Sequence, residues 1–144
     1  EIDLSVPALI PDDYVHDVHT RLVLYKRIAG MQTDAELRDL QIELIDRFGL
    51  LPEPVKNLFA IASLKLLASP MGIRKIELGS EEGRIQFDQD PAIDTDTLIE
   101  LIQSQPQHYR LEGATRLRLF GSFHEEASRF QQVSEILTKL SLNR

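Results

Sequence analysis

Val55-Lys-Asn-Leu-Phe-Ala-Ile-Ala-Ser-Leu-Lys-Leu-Leu67, then Pro70-Met-Gly72, then Ile73-Arg-Lys-Ile-Glu-Leu78 and Arg84-Ile-Gln-Phe87: across this stretch the apolar residues change period, and the change decides the fold class. The first segment is apolar around most of a helical circumference through Val55, Leu58, Phe59, Ile61, Ala62, Leu64, Leu66 and Leu67, the pattern of a central, buried helix. Pro70 and Gly72 stop it. Alternation with period two then marks two strands, and Gly79-Ser-Glu-Glu-Gly83 between them reads as the turn of a hairpin. A chain that carries helices first and hairpins afterwards is α+β.

Working outward toward the N-terminus, Thr33-Asp-Ala-Glu36 is a capping box that opens a helix with a core stripe of Leu37, Leu40, Leu44 and Phe48. Before it, Val18, Leu22, Tyr25 and Ala29 recur at helical spacing, with Asp12 or Asp13 as the expected cap, Lys26 and Arg27 in the last turn and Gly30 as a stop. Residues 1–11 alternate apolar and polar before two prolines, which predicts a short edge strand and an extended connector. Toward the C-terminus, Asp94 or Thr95 caps a short helix through Leu98, Leu101 and Ile102. A second hairpin follows in His108-Tyr-Arg-Leu111 and Thr115-Arg-Leu-Arg-Leu-Phe120 about Glu112-Gly113. A closing helix is expected from Ser122, burying Phe123, Ala127, Phe130, Val133, Ile136, Leu137 and Leu140. The order is three helices, hairpin, helix, hairpin, helix, giving a mixed or antiparallel sheet of four or five strands backed by helices. Residues 12–144 read as a single domain.

Composition narrows the function. At 144 residues with 42 % hydrophobic residues, the chain can build a core without metal or disulfide support, and it contains no cysteine that could form a thiolate site. A formal charge of -7 opposes nucleic-acid binding by the domain alone, since phosphate affinity comes mostly from Lys and Arg clusters. No apolar run has spanning length and no signal peptide is evident, which suits a cytoplasmic protein. Glu1 stands where a complete chain would begin with Met, so a piece of a longer polypeptide is expected.

The residues offer little chemistry. Gly79 to Gly83 lacks the Gly-Lys-Ser/Thr ending of a phosphate loop and lies in a hairpin. His16 and His19, near Asp12, Asp13 and Asp17, have a spacing that offers two metal ligands, where a closed site usually needs four. Ser63 and Ser69 have no His-and-acid neighbourhood in sequence. No catalytic residue, cofactor or metal is therefore expected in the domain, and a small carboxylate hydrolase has nothing in its favour beyond the abundance of Asp and Glu.

The helix over residues 34–48 carries a charged flank. At about 100° per residue with Leu44 as zero, Arg47 lies near -60°, Glu36 near -80°, Glu43 near -100°, Asp39 near -140° and Asp46 near -160°. Ile42 adjoins Asp46 at about +160°. An ordinary solvated face with Glu43 and Arg47 as an i,i+4 pair accounts for this pattern. So does a polar docking surface with one partly shielded apolar residue.

Gln41-Ile-Glu-Leu-Ile-Asp-Arg-Phe-Gly-Leu-Leu-Pro-Glu-Pro54, taken with Pro11-Asp-Asp-Tyr14, Arg21-Leu-Val-Leu-Tyr-Lys-Arg-Ile28 and Gln105-Pro-Gln-His-Tyr-Arg-Leu111, resembles the C-terminal domain of the bacterial transcription-repair coupling factors (Mfd) nearly end to end. The resemblance implies a non-catalytic regulatory module. Such a module folds back on the N-terminal UvrB-like module of its own polypeptide and hides the surface that recruits UvrA until the parent engages stalled RNA polymerase. It implies docking through Glu43, Asp46 and Arg47, with Glu36, Asp39 and Ile42 flanking them. ATP and Mg would serve motor domains outside this chain, and residues 1–11 would connect from that motor. The Tyr25 and Tyr109 segments are expected to be structural. A stand-alone acidic adapter that binds a separate basic partner is the alternative the residues leave open.

Overall fold

A computed structural model describes residues 1–142, which form two compact units, residues 6–66 and residues 1–5 with the described residues from 67 onward. The division follows from the apolar residues of 6–66, which close on themselves. Ile10, Val15, Leu24, Ile28, Leu37, Leu40, Leu44, Val55 and Phe59 form one buried cluster, with Tyr14, Tyr25, Phe48 and Leu58 packed against it.

That cluster is built by α1 (Val18–Gly30), α2 (Asp34–Phe48) and the body of α3 (Glu53–Ala68). The start of α2 is as read: the Thr33 hydroxyl accepts from the Glu36 N–H at 3.1 Å, and Leu37, Leu40 and Leu44 are buried. The start of α1 corrects the expectation. The Tyr14 and Val15 N–H groups turn back onto the Pro11 carbonyl, and the helix starts after Asp17, beyond Asp12 and Asp13. Instead the Asp17 carboxylate accepts from the Thr20 N–H at 2.8 Å and from its hydroxyl at 2.7 Å, which holds that carboxyl below its usual range. The buried stripe of α1 is also different. Leu24 and Ile28 face the core, and Val18 and Leu22 are 60 % and 55 % exposed. Two side chains set that rotation: the Tyr25 hydroxyl accepts from the Ile10 N–H at 2.7 Å, and Arg21 donates to the carbonyls of Val15 and His16. α3 is less buried than its composition suggests, with Leu67 exposed.

The other unit is a five-stranded mixed sheet with helices, in the expected order. A 3-10 turn, Ser69–Met71, ends at Gly72, whose φ of 74° is the left-handed conformation that a stop of this kind requires. β2 (Ile73–Leu78) and β3 (Glu82–Phe87) form the first hairpin; β4 (Tyr109–Glu112) and β5 (Arg116–Phe120) form the second. The strand order is β1-β2-β3-β5-β4, where β1 (Ile2–Asp3) is a parallel edge strand on β2 and the other pairs are antiparallel. Ile76, Leu78, Ile85, Phe87, Leu117 and Leu119 are buried on one sheet face. α4 (Thr95–Ser104), capped by Asp94, and α5 (Glu126–Leu140) add Leu98, Leu101, Val133, Ile136, Leu137 and Leu140 to the buried set.

α5 begins four residues later than expected. The Gly121 and Phe123 N–H groups donate to the carbonyls of Glu81 and Ser80, which holds residues 121–123 out of the helix. Ala127 is exposed and Phe130 half-buried, and the helix buries Arg129 in their stead. The Arg129 guanidinium donates to the carbonyls of Phe123 at 2.8 Å, Ser5 at 3.1 Å, Leu4 at 3.3 Å and His124 at 3.4 Å.

Candidate functional site

The flank of α2 is the candidate site, and the groups that shape it come from three places in the helical unit. Tyr14 fixes the end of the helix. Its hydroxyl donates to the Gly49 carbonyl at 2.8 Å and lies 3.3 Å from that of Leu44, so it answers carbonyls that a helix C-terminus leaves without partners. Its ring lies 5.8 Å from the Phe48 ring, and the Arg47 guanidinium sits 4.8 Å from the centroid of that same Phe48 ring. Gly49, at φ 97°, lets the chain leave the helix at this point.

Glu43 is the electrostatic centre of the flank. Arg27 of α1 grips it with both nitrogens, Nη1 to Oε2 at 2.7 Å and Nη2 to Oε1 at 2.9 Å. Arg47 Nη1 adds a third hydrogen bond to Oε2 at 3.0 Å. The Arg27 fork is the largest cause that lowers the Glu43 carboxyl from the ordinary 4.5 to about 2; desolvation opposes it, and the Arg47 hydrogen bond and the charges of both arginines add to the lowering. The same pairing raises the Arg27 guanidinium.

The expected residues do come together on one exposed surface. Glu36, Asp39, Asp46 and Arg47 are exposed, Glu43 is half-buried, and Ile42 is 58 % exposed. Their conditions differ. Glu36 lies 3.3 Å from the Thr33 hydroxyl that caps its own helix. Asp39 and Asp46 have no ion-pair or hydrogen-bond partner among the described residues. Arg27 is the residue missing from the helical-wheel reading. It belongs to a different helix, sixteen positions away, and only the pairing in space reveals it. Ile45, 39 % exposed, and Leu50, 86 % exposed, add apolar surface at this end of α2.

Other candidates fall to structural roles. Ser63 donates to Asp34 at 2.6 Å on the surface, and Asp17 caps α1 between His16 and His19. Among the described residues no three or more His, Asp or Glu side chains are gathered so as to hold a metal ion, and no helix is long and apolar enough to cross a membrane. Tyr109 is buried on β4, with the Gln132 side-chain nitrogen 3.3 Å from its hydroxyl.

Residues 4–98 match the family model described as the TRCF domain. The chain belongs to the TRCF domain family. Relatives bear this out at the level of sequence. The Transcription-repair-coupling factor of Escherichia coli is 45 % identical over 143 residues, 99 % of this chain, and that of Haemophilus influenzae is 41 % identical over 141 residues, 98 % of this chain. The protein of the same description from Myxococcus xanthus is 38 % identical over 111 residues, 77 % of this chain. This TRCF domain spans about 12 % of the length of the first two relatives and 9 % of the third. The fold is that of a solved structure described as the C-terminal domain of transcription-repair coupling factor, with a TM-score of 0.69 over 94 % of each chain at 20 % identity.

Proposed function

We propose that this TRCF domain is the non-catalytic, autoinhibitory module of a transcription-coupled DNA repair ATPase and translocase. It docks on the N-terminal UvrB-like module of the same polypeptide, masks the UvrA-binding surface and restrains the motor until the parent engages stalled RNA polymerase. ATP and Mg belong to the parent's motor domains, and the domain itself makes no direct nucleic-acid contact. The observation that carries this reading is the solvent-facing flank of α2, where Glu43, Asp46 and Arg47 stand in an intact Glu-Leu-Ile-Asp-Arg-Phe-Gly motif. Regulation of this kind needs a difference in affinity between closed and open states and no chemistry.

Calorimetric titration of the domain into the separately purified N-terminal module, at low and high salt, tests it. Salt-sensitive binding that is lost when Glu43, Asp46 and Arg47 are changed to Ala is the expected result. Absence of binding at high concentration would overturn the reading in favour of a stand-alone adapter for a separate basic partner.

A further inference from the structure

The charges singled out by the motif are not equally available to a partner. Glu43 already accepts three hydrogen bonds from Arg27 and Arg47, so a partner cation reaching for it must displace a bidentate guanidinium. Asp39 and Asp46 stand seven residues apart on the same flank, about 10.5 Å along the helix, with no partner among the described residues. Beside them on the helical wheel lie Ile42 and then Ile45, 58 % and 39 % exposed, with the exposed Arg38 between the two at about +120°. An exposed apolar pair rimmed by charge is the layout of an interface core and its rim, and the core supplies most of the binding energy.

Resting on the docking reading above, we infer that Ile42 and Ile45 are the energetic centre of the contact. Asp39 and Asp46 set its specificity, and Glu43 acts as a positioning residue that holds Arg27 and Arg47 at the edge of the surface. The occupant is a surface of the N-terminal module with an apolar depression for the isoleucines, flanked by two cationic side chains about 10 Å apart to match the aspartates. Charge complementarity selects this occupant: on this flank the outward carboxylates without a partner among the described residues are Asp39 and Asp46, and the chain as a whole carries -7. Charged rims act mainly on encounter and salt dependence, and apolar centres on the lifetime of the complex.

The same titration with further variants of the whole chain tests the division of labour. The double variant I42S/I45S, which alters exposed positions, is expected to weaken binding more than tenfold, chiefly through faster dissociation, and to leave the salt dependence intact. D39N/D46N is expected to flatten the salt dependence and slow association. V18S/L22S, a still more exposed apolar pair on α1, is expected to bind as the wild-type chain does. Amide NMR spectra of each variant, unchanged away from the substituted helix, establish that the fold is retained.

Wild-type binding that survives I42S/I45S undiminished would overturn this inference and leave the docking function standing. Equal weakening by V18S/L22S would overturn it as well, since general stickiness would then explain the loss. No binding by the wild-type chain would overturn the docking function itself, and so would self-association through the same isoleucines without binding to the module.

Discussion

Arg129 shows how much a single side chain can organise here. It is 9 % exposed and has no carboxylate partner among the described residues, yet its guanidinium is answered by the carbonyls of Leu4, Ser5, Phe123 and His124. It thereby ties the end of β1 to the start of α5, and a methionine of similar length would leave those carbonyls short of donors. R129M is expected to cost about 2–4 kcal/mol in urea unfolding. R129K should recover little of this, because an ammonium cannot reproduce the planar fork. Glu43 makes a prediction about pH. Its folded-state pKa is depressed, so the stability it contributes is fully present above the ordinary 4.5 and is lost as pH falls from there through about 2. Carbon-detected NMR titration of the Glu43 carboxyl should find its midpoint near the bottom of that window. In R27Q it should move up toward the ordinary value, since the Arg27 hydrogen bonds are the largest cause of the shift. A midpoint in the usual carboxylate range in the wild type would mean that the clamp does not hold in solution. The stability at stake is small, below about 1 kcal/mol, because both partners are more than one-third exposed.

At the scale of elements, the helices and hairpins were legible wherever one periodicity had no competitor. α2 has one apolar stripe and a capping box, and the hairpins alternate cleanly. In α1 two stripes interleave, Val18 and Leu22 against Leu24 and Ile28. The choice between them rests on Tyr25 meeting the Ile10 N–H and Arg21 meeting the Val15 and His16 carbonyls, which are tertiary events that periodicity does not encode. The late start of α5 has the same origin, in backbone hydrogen bonds from residues 121 and 123 to the β2–β3 turn. The candidate site divides likewise: the flank of α2 could be laid out at 100° per residue, and the Arg27 clamp could not. The first hairpin carries its own prediction. A Cβ on Gly83 would collide with the Glu77 carbonyl oxygen and press on Leu78, so the close pairing of β2 and β3 there requires glycine. G83A is expected to cost about 1–3 kcal/mol, measured as a fall in the urea midpoint. G49A meets no atom within 4 Å, and its cost is one of backbone alone: φ 97° with ψ -172° is a conformation essentially reserved for glycine, so about 1–3 kcal/mol is expected there as well.

At the scale of the whole molecule, the proposed contact joins two parts of one polypeptide, so tethering enters its balance. A domain joined to its target works at an effective concentration in the mM range, so an interface of modest affinity keeps the closed state populated. Reversing that population from 99:1 closed to 99:1 open takes about 5.5 kcal/mol, which a single lost ion pair at an exposed site cannot supply. The three-residue strip is a different matter, because Glu43 to Ala also releases Arg27, and Arg47 to Ala removes the guanidinium over Phe48. In the full-length parent, Ala at Glu43, Asp46 and Arg47 is therefore expected to raise both UvrA binding and DNA-dependent ATP hydrolysis above wild type. Salt acts on the same balance. Screening at 1 M shortens the reach of Asp39 and Asp46 to about 3 Å, so wild-type protein should move toward the activity of the variant as salt rises, and the variant should respond less. UvrA pull-down and ATPase rates over a salt series measure both. A triple variant as restrained as wild type at every salt concentration would place the restraint on some other surface of the parent.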